Sequence, residues 1–443
     1  MDTPAVERFR ELLRIPTISR SDPTQVDTGA FALFRETLQR SYPRVHAALE
    51  RELVAEHAML FRWPGAVAED PLVLMAHYDV VPVVPQEWMH PPFAAVLTGE
   101  GEQATIHARG AIDDKGALVA IVEAVESLLA EGFVPARDVY LAFGHDEEVA
   151  GRGAPAIVDV LRERGVRPAL VIDEGGAVVE GAVPGVDVET AMIGVAERGI
   201  ATLRLTAREA GGHASTPPPR PATARLARAI DRLQRHPFPA RLTPAVRAMF
   251  RTLAPHAREP FGSLFRHILT TGPLLARVLP RFGPETNALV RTTAVVTELQ
   301  GSDGENVLAT TARAAVNVRL LTGDTVSGVA DRVRSIIGDP GIEVEVHQGS
   351  DPSPVSPWRG EPWRRVARAV ASALGEDVIA TPYLQLGASD SRWFTAVSGN
   401  VYRFAPFRLT TSEREALHAH DERIRVDVWL RAIGFYRDLL RLS

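Results

Sequence analysis

The sequence predicts an α/β protein: a mixed, mostly parallel sheet with helices on both faces, and an α+β domain inserted into the middle of the chain. Three observations predict it. Short apolar runs of strand length end abruptly in acids or imidazole, a run of strong helix formers lies between two of them, and near residue 196 the pattern changes to apolar–polar alternation. Strands and helices taken in turn give parallel strands joined by crossover helices. Alternation instead marks strands with one face toward solvent.

Taken in chain order, residues 5–15 and 27–41 have helical spacing, and residues 71–76, 139–144 and 169–173 read as short buried strands. Residues 117–131 are an unbroken run of strong helix formers. Residues 199–208 alternate, 221–235 look helical, and 288–298 and 311–321 alternate again. A helix over 325–337 and a strand over 342–347 complete two strand–helix–strand halves. The stretch 236–285 between the halves is rich in Pro and Arg, with helical patches, and reads as an insertion whose structure the sequence leaves open. Helix and strand character returns after residue 352. The expected division is therefore 1–195 for the first part of the main domain, 196–349 for the inserted domain including 236–285, and 350–443 for the second part of the main domain.

A chain of 443 residues exceeds one ordinary core, which agrees with two domains. Hydrophobic residues at 45% and charged residues at 23% are ordinary for a folded enzyme, and a formal charge of -6 gives no footprint for nucleic acid or an anionic membrane. There is no cysteine, so any transition metal must be held by His, Asp and Glu. Residues 1–10 lack an apolar core and no window approaches 18 uninterrupted apolar residues, so neither a secretory signal nor a spanning helix is expected, and the expected location is cytoplasmic.

The segment Leu72-Val73-Leu74-Met75-Ala76-His77-Tyr78-Asp79 ends an apolar run in an imidazole and a carboxylate two residues apart. That is how a buried strand delivers ligands to a sheet edge. A lone histidine after a strand is more often a satisfied polar residue, and it is the company of other motifs that favours the functional reading. Arg109-Gly110-Ala111-Ile112-Asp113-Asp114-Lys115-Gly116, Gly144-His145-Asp146-Glu147-Glu148 and Val171-Ile172-Asp173-Glu174-Gly175-Gly176 each begin where an apolar stretch ends. Together with Leu417-His418-Ala419-His420-Asp421-Glu422 they offer His77, Asp113, Glu148, Asp173 and a C-terminal imidazole. Such a set suffices for two dications about 3.5–4 Å apart with one bridging carboxylate. Zinc suits these ligands, and Co2+ or Mn2+ can replace it because imidazole and carboxylate select weakly among them. Glu147 and Glu148 are adjacent, so on an extended segment they face opposite ways: one ligand, and one general base, which is Glu147. A solvated acidic loop is the plainer reading of that run taken alone.

At this point His77-Tyr78-Asp79-Val80-Val81-Pro82, Gly110-Ala111-Ile112-Asp113-Asp114-Lys115-Gly116, Asp146-Glu147-Glu148 and Asp173-Glu174-Gly175 resemble the dizinc aminoacylase and carboxypeptidase family. It includes glutamate carboxypeptidase, succinyl-diaminopimelate desuccinylase, Gly-X carboxypeptidase and N-acyl-amino-acid amidohydrolases. The resemblance runs in order over nearly the whole chain. It implies a zinc-peptidase-like catalytic domain with a ferredoxin-like lid that pairs subunits in dimeric members. It implies two Zn2+ per subunit, one on His77, Asp113 and Asp173 and the other on Asp113, Glu148 and His418, with Asp113 as the bridge. Asp79 becomes the carboxylate that orients His77, and the Asp113–Asp114 peptide is expected to be cis. The pattern His-x-x-Asp-Glu selects His418 over His420.

The same resemblance marks the lid. His213, in Gly211-Gly212-His213-Ala214-Ser215, is similar to a lid histidine that stabilises the developing oxyanion, in its own active site or a partner's. Asn287 and Arg319 resemble residues that grip the substrate carboxylate, although Asn317 stands where the family has aspartate two before that arginine. Arg392, in Ser389-Asp390-Ser391-Arg392, resembles a residue near the leaving group. The expected activity is cleavage of an amide or peptide bond beside a free carboxylate, on a small N-acyl amino acid or short peptide. Dipeptidase or N-deacetylase activity is the nearest alternative, and a metal-binding scaffold without chemistry is the alternative of another class. Turnover, and not metal content, separates the hydrolase from the scaffold. The expected partners are that small substrate and a second copy paired through the lid, with neither nucleic acid nor membrane.

Overall fold

Eight strands make the large sheet of the computed structural model, which describes residues 3–443. In spatial order they are Glu50–Val54, Ala58–Trp63, Arg137–Gly144, Val67–His77, Leu170–Val179, Val401–Arg408, Thr190–Glu197 and Ile379–Gln385. Val67–His77 runs parallel to both Arg137–Gly144 and Leu170–Val179, and Val401–Arg408 is parallel to Leu170–Val179. Antiparallel pairs at Ala58–Trp63 and between Val401–Arg408 and Thr190–Glu197 make the sheet mixed. The central strands are near-continuous apolar runs because helices cover both of their faces. All of Leu72 to His77 is buried.

Helix Lys115–Ala130 is buried without interruption from Lys115 to Glu126. A helix that is apolar nearly all round belongs inside a core, and this one is packed between strand Val67–His77 and helices Pro4–Leu13, Pro43–Ala48 and Val426–Arg441. Trp429 stacks on Phe9 with ring centroids 4.5 Å apart and donates from Nε1 to the Gly116 carbonyl at 3.0 Å. The packing thus reaches the loop that carries Asp113.

A second, antiparallel sheet has the order Thr293–Gln300, Thr311–Leu320, Gly199–Arg208, Ile342–Ser350. Helices Ala222–Arg235 and Val326–Ile337 cover one face, with Leu203, Leu205, Leu226, Val316 and Val333 in a core of their own. One expectation is corrected here. Residues 288–290 end a helix, Pro284–Val290, before the strand starts at Thr293. Pro284 at the first helical turn is pre-set for the helix, and Leu289 and Val290 are buried by it.

The 236–285 stretch is helical: Pro244–Leu253, Phe261–Arg266 and Ile268–Val278. It lies between the lid halves in sequence, yet Val246, Met249, Phe250, Phe265 and Leu275 join the core of the large sheet. Pro244–Leu253 packs on the edge strand Ile379–Gln385. In space this segment buttresses the main sheet instead of extending the lid, because its apolar faces match the uncovered edge there. Among the described residues no helix is long and apolar enough to cross a membrane.

Candidate metal centre and active site

His77 is the last residue of its strand and pairs in register with Gly144, the last of the neighbouring one. Its Nε2 lies 3.0 Å from Asp113 Oδ1. The other oxygen of Asp113 lies 2.9 Å from His418 Nε2, which is 3.1 Å from Glu148 Oε2. Asp113 therefore stands between two imidazoles with one oxygen toward each, the position of a bridging carboxylate. His420 points elsewhere and pairs with Glu87 at 3.0 Å.

Asp79 is fully buried and has two tasks. Its carboxylate is 3.3 Å from His77 Nδ1, whose closer partner at 3.0 Å is the Asp79 carbonyl. The two carboxylate oxygens also accept from the N–H groups of Glu147 and Glu148, each at 3.2 Å. One acid thus sets the imidazole and the acid pair together. Glu147–Val149 is a 3-10 turn where the sequence reading had an extended segment. Within that turn Glu148 meets His418, while Glu147 lines a cavity of about 240 Å³ with Asp113, Glu174, Gln385 and His418.

The structure does not bring Asp173 into this cluster. Its Oδ2 instead accepts from the Ser391 N–H at 2.8 Å. Glu174 is the acid that turns inward, with Oε1 3.7 Å from His77 Nε2. Asp173 stands opposite Arg403 and Gly176 opposite Phe404, so Glu174 and Gly175 bulge from the ladder. Successive strand residues face opposite ways and a bulge re-aims a side chain, which is why one of the two reaches the site and the other cannot.

Sequence reasoning also missed Glu422. It is fully buried and accepts from Arg109 Nη1 at 2.7 Å and from the N–H groups of Gly110, Ile112 and Asp113 at 3.1, 2.7 and 3.1 Å. A carboxylate more than 300 residues away thereby shapes the Asp113 loop, and nothing local in the sequence signals three converging backbone donors. Asp114, also buried, accepts from the His77 N–H at 3.2 Å. The Asp113–Asp114 peptide is cis.

The electrostatics follow from the crowding of acids. Burial first, then the nearby Asp390, Asp113 and Glu148, push Glu147 well above the usual carboxylate range, against the pull of His77. Burial likewise raises Glu148, Glu174, Asp114 and Asp390. Asp113 alone among these is held low: burial opposes it, but hydrogen bonds from His418 and His77 outweigh burial. Those to Asp113 and Glu148 raise His418 to about 10. Carboxylates outnumber imidazoles and Glu148 Oε1 is buried without a hydrogen-bond partner. Ligand atoms of His77, Asp113 and Glu148 lie within 4.8 Å of one another, as do those of His77, Asp114 and Glu174. Divalent cations fit this site: they neutralise the surplus charge and use the donor types present.

A model of peptidase family M20/M25/M40 matches residues 73–442. The chain belongs to this family. It is an M20 metallohydrolase. It is 34% identical over 443 residues to the N-fatty-acyl-amino acid synthase/hydrolase PM20D1 of Xenopus tropicalis, covering 99% of this chain and 85% of that one. It is 30% identical over 448 residues to a probable carboxypeptidase S-like 2 of Dictyostelium discoideum, with 99% and 85% covered. The crystal structure of the M20 metallo-carboxypeptidase Sso-CP2 from Sulfolobus solfataricus shares its fold, with a TM-score of 0.70, 20% identity, and 100% and 99% of the two chains covered.

The remaining candidates of this M20 chain are more scattered. His213 is exposed, in a two-residue strand paired with Val307–Leu308, and its Nδ1 is 2.8 Å from Ser215 Oγ; it does not line the catalytic cavity. Asn287 sits half-buried in helix Pro284–Val290, also off that cavity. Arg319 pairs across strands with Ile200 and Thr293, and Asn317 still contacts it, Oδ1 accepting from Nε at 3.4 Å. Burial and the neighbouring Arg392 lower the Arg319 pKa. Among the described residues it has no carboxylate within ion-pair distance. Arg392 has one: Glu197, fully buried, lies 3.3 Å from it and 3.3 Å from Arg403.

Proposed function

We propose that the chain hydrolyses the amide bond of N-acyl amino acids, with short peptides bearing a free C-terminal carboxylate as its second substrate class. The observation that carries this reading is Glu147 on the wall of a small cavity beside Asp113 and His418. The names of the relatives support it. Two divalent ions, assigned as zinc, would be held by His77, Asp113 and Glu174 and by Asp113, Glu148 and His418. When bound they polarise the scissile carbonyl and make water more acidic.

The chain's own groups do the rest. Glu147 takes a proton from water and delivers it to the leaving nitrogen. Asp79 holds His77 and the backbone of Glu147 and Glu148 in place. Arg319, unpaired and desolvated, receives the substrate carboxylate, while Arg392 is occupied by Glu197. His213 is the donor to the developing oxyanion. Because it is exposed on the lid, it is assigned to the active site of a second copy, paired through the lid sheet.

The experiment is release of free amino acid from N-acyl amino acids and dipeptides by zinc-loaded enzyme beside Glu147→Gln. The variant should lose 10²–10⁴-fold in kcat and keep both metals. Near-normal turnover by Glu147→Gln would overturn the role given to Glu147.

A further inference from the structure

A second cavity of about 310 Å³ adjoins the catalytic one. Gly175, Ala177, Gln385, Leu409 and Leu417 line both, so the two spaces meet just past the Glu174–Gly175 bulge. Beyond the junction the wall is mostly apolar: Val179, Val183, Met192, Leu289 and Leu386. Three of the elements that build this wall lie side by side. Strand alternation turns Ala177 and Val179 to the same side, Met192 comes from the adjacent strand Thr190–Glu197, and Leu289 from helix Pro284–Val290. The one charged pair on the wall, Arg414 and Glu285, is closed on itself at 3.1 Å.

We propose that this cavity binds the acyl chain of the substrate, and that Leu289 and Met192 set the chain length accepted; the proposal rests on the amide-hydrolase reading above. A substrate with a free carboxylate has one charged end and one neutral end. Among the described residues, the wall offers no cation free of a partner to receive the charged end, whereas Arg319 lies outside this cavity. The neutral end enters, and its apolar surface replaces water on apolar walls. At about 30 Å³ for a water-sized group, the space holds on the order of ten methylenes.

The test is kcat/KM of the zinc-loaded enzyme on N-acyl amino acids from acetyl to palmitoyl, with a small and a large amino-acid side chain at each length. The expected result is a rise of about three- to fourfold per added methylene that levels off near ten carbons, whichever amino acid is attached. Leu289→Trp should cut the decanoyl-to-acetyl ratio by at least about tenfold, and Met192→Ala should move the plateau to longer chains. Should Leu289→Trp not fold, Met192→Ala alone decides the point. Hydrolysis of the whole series with no dependence on acyl length, or dependence on the amino-acid side chain only, overturns the cavity assignment and leaves the hydrolase reading intact. No hydrolysis at any length overturns both.

Discussion

Asp173 and Glu174 differ by one methylene and one position, yet they face opposite sides of the sheet. Both are acids after an apolar run, so residue type cannot choose between them; the ladder register does, by bulging Glu174 inward. Glu174→Gln should therefore lose about one of two bound metal equivalents, measured by elemental analysis after gel filtration, while Asp173→Asn keeps both. The opposite pattern would restore Asp173 as ligand. His77, Asp113, Glu147 and Glu148 were legible because each type suits its chemistry and each follows an apolar stretch, whereas His418 was picked out only by the family pattern His-x-x-Asp-Glu. Glu422 was not legible, since its partners are backbone N–H groups brought from another part of the chain. Lys115, the sole lysine, is likewise explained by place: it is buried, donates to the Ile15 carbonyl at 2.5 Å, and burial pushes it down to about 7.

The element that positions the bridge is helix Lys115–Ala130. Its second residue, Gly116, lies against the Asp113 loop so closely that a Cβ there would sit 2.2 Å from the Ala111 carbonyl oxygen. Backbone cannot yield as a flexible side chain does, so Gly116→Ala should displace residues 111–113. The expected cost is about 1–3 kcal/mol of stability, together with a loss of metal affinity of roughly tenfold or more. Thermal unfolding and a zinc competition titration check the two effects. Unchanged affinity in a folded variant would show that the loop position does not control the bridge. The helix was legible from its run of helix formers, whereas this contact was not, because it joins residues across a turn whose shape Glu422 fixes.

Across the whole molecule the cluster links metal, pH and stability. Glu147, Glu148, Glu174, Asp114 and Asp390 have raised pKa values when no cation is present. Each then keeps a proton in the fold that the unfolded chain has released, so raising the pH above the ordinary carboxylate range lowers the stability of the apoprotein. His418 acts in the same direction: its stabilisation is complete below about 6.5 and is lost as pH rises toward about 10. Removing metal with a chelator should thus give a Tm that falls with pH from about 5 to 9. A divalent cation that binds the folded form more tightly than the unfolded chain should raise the Tm and flatten the profile. Equal slopes with and without metal would mean that the acids are not the metal's ligands.

The sequence by itself determined the fold class, the strands and helix around the site, and the chemical types that meet there. Apolar periodicity is a local property, and imidazole and carboxylate have few other reasons to end four buried segments. The tertiary structure decided which of two adjacent acids faces His77, that the 236–285 helices pack on the main sheet edge, and that Arg392 is held by Glu197 while Arg319 has no carboxylate partner among the described residues. Those outcomes depend on strand register and on contacts between residues far apart in the chain, which no local pattern encodes.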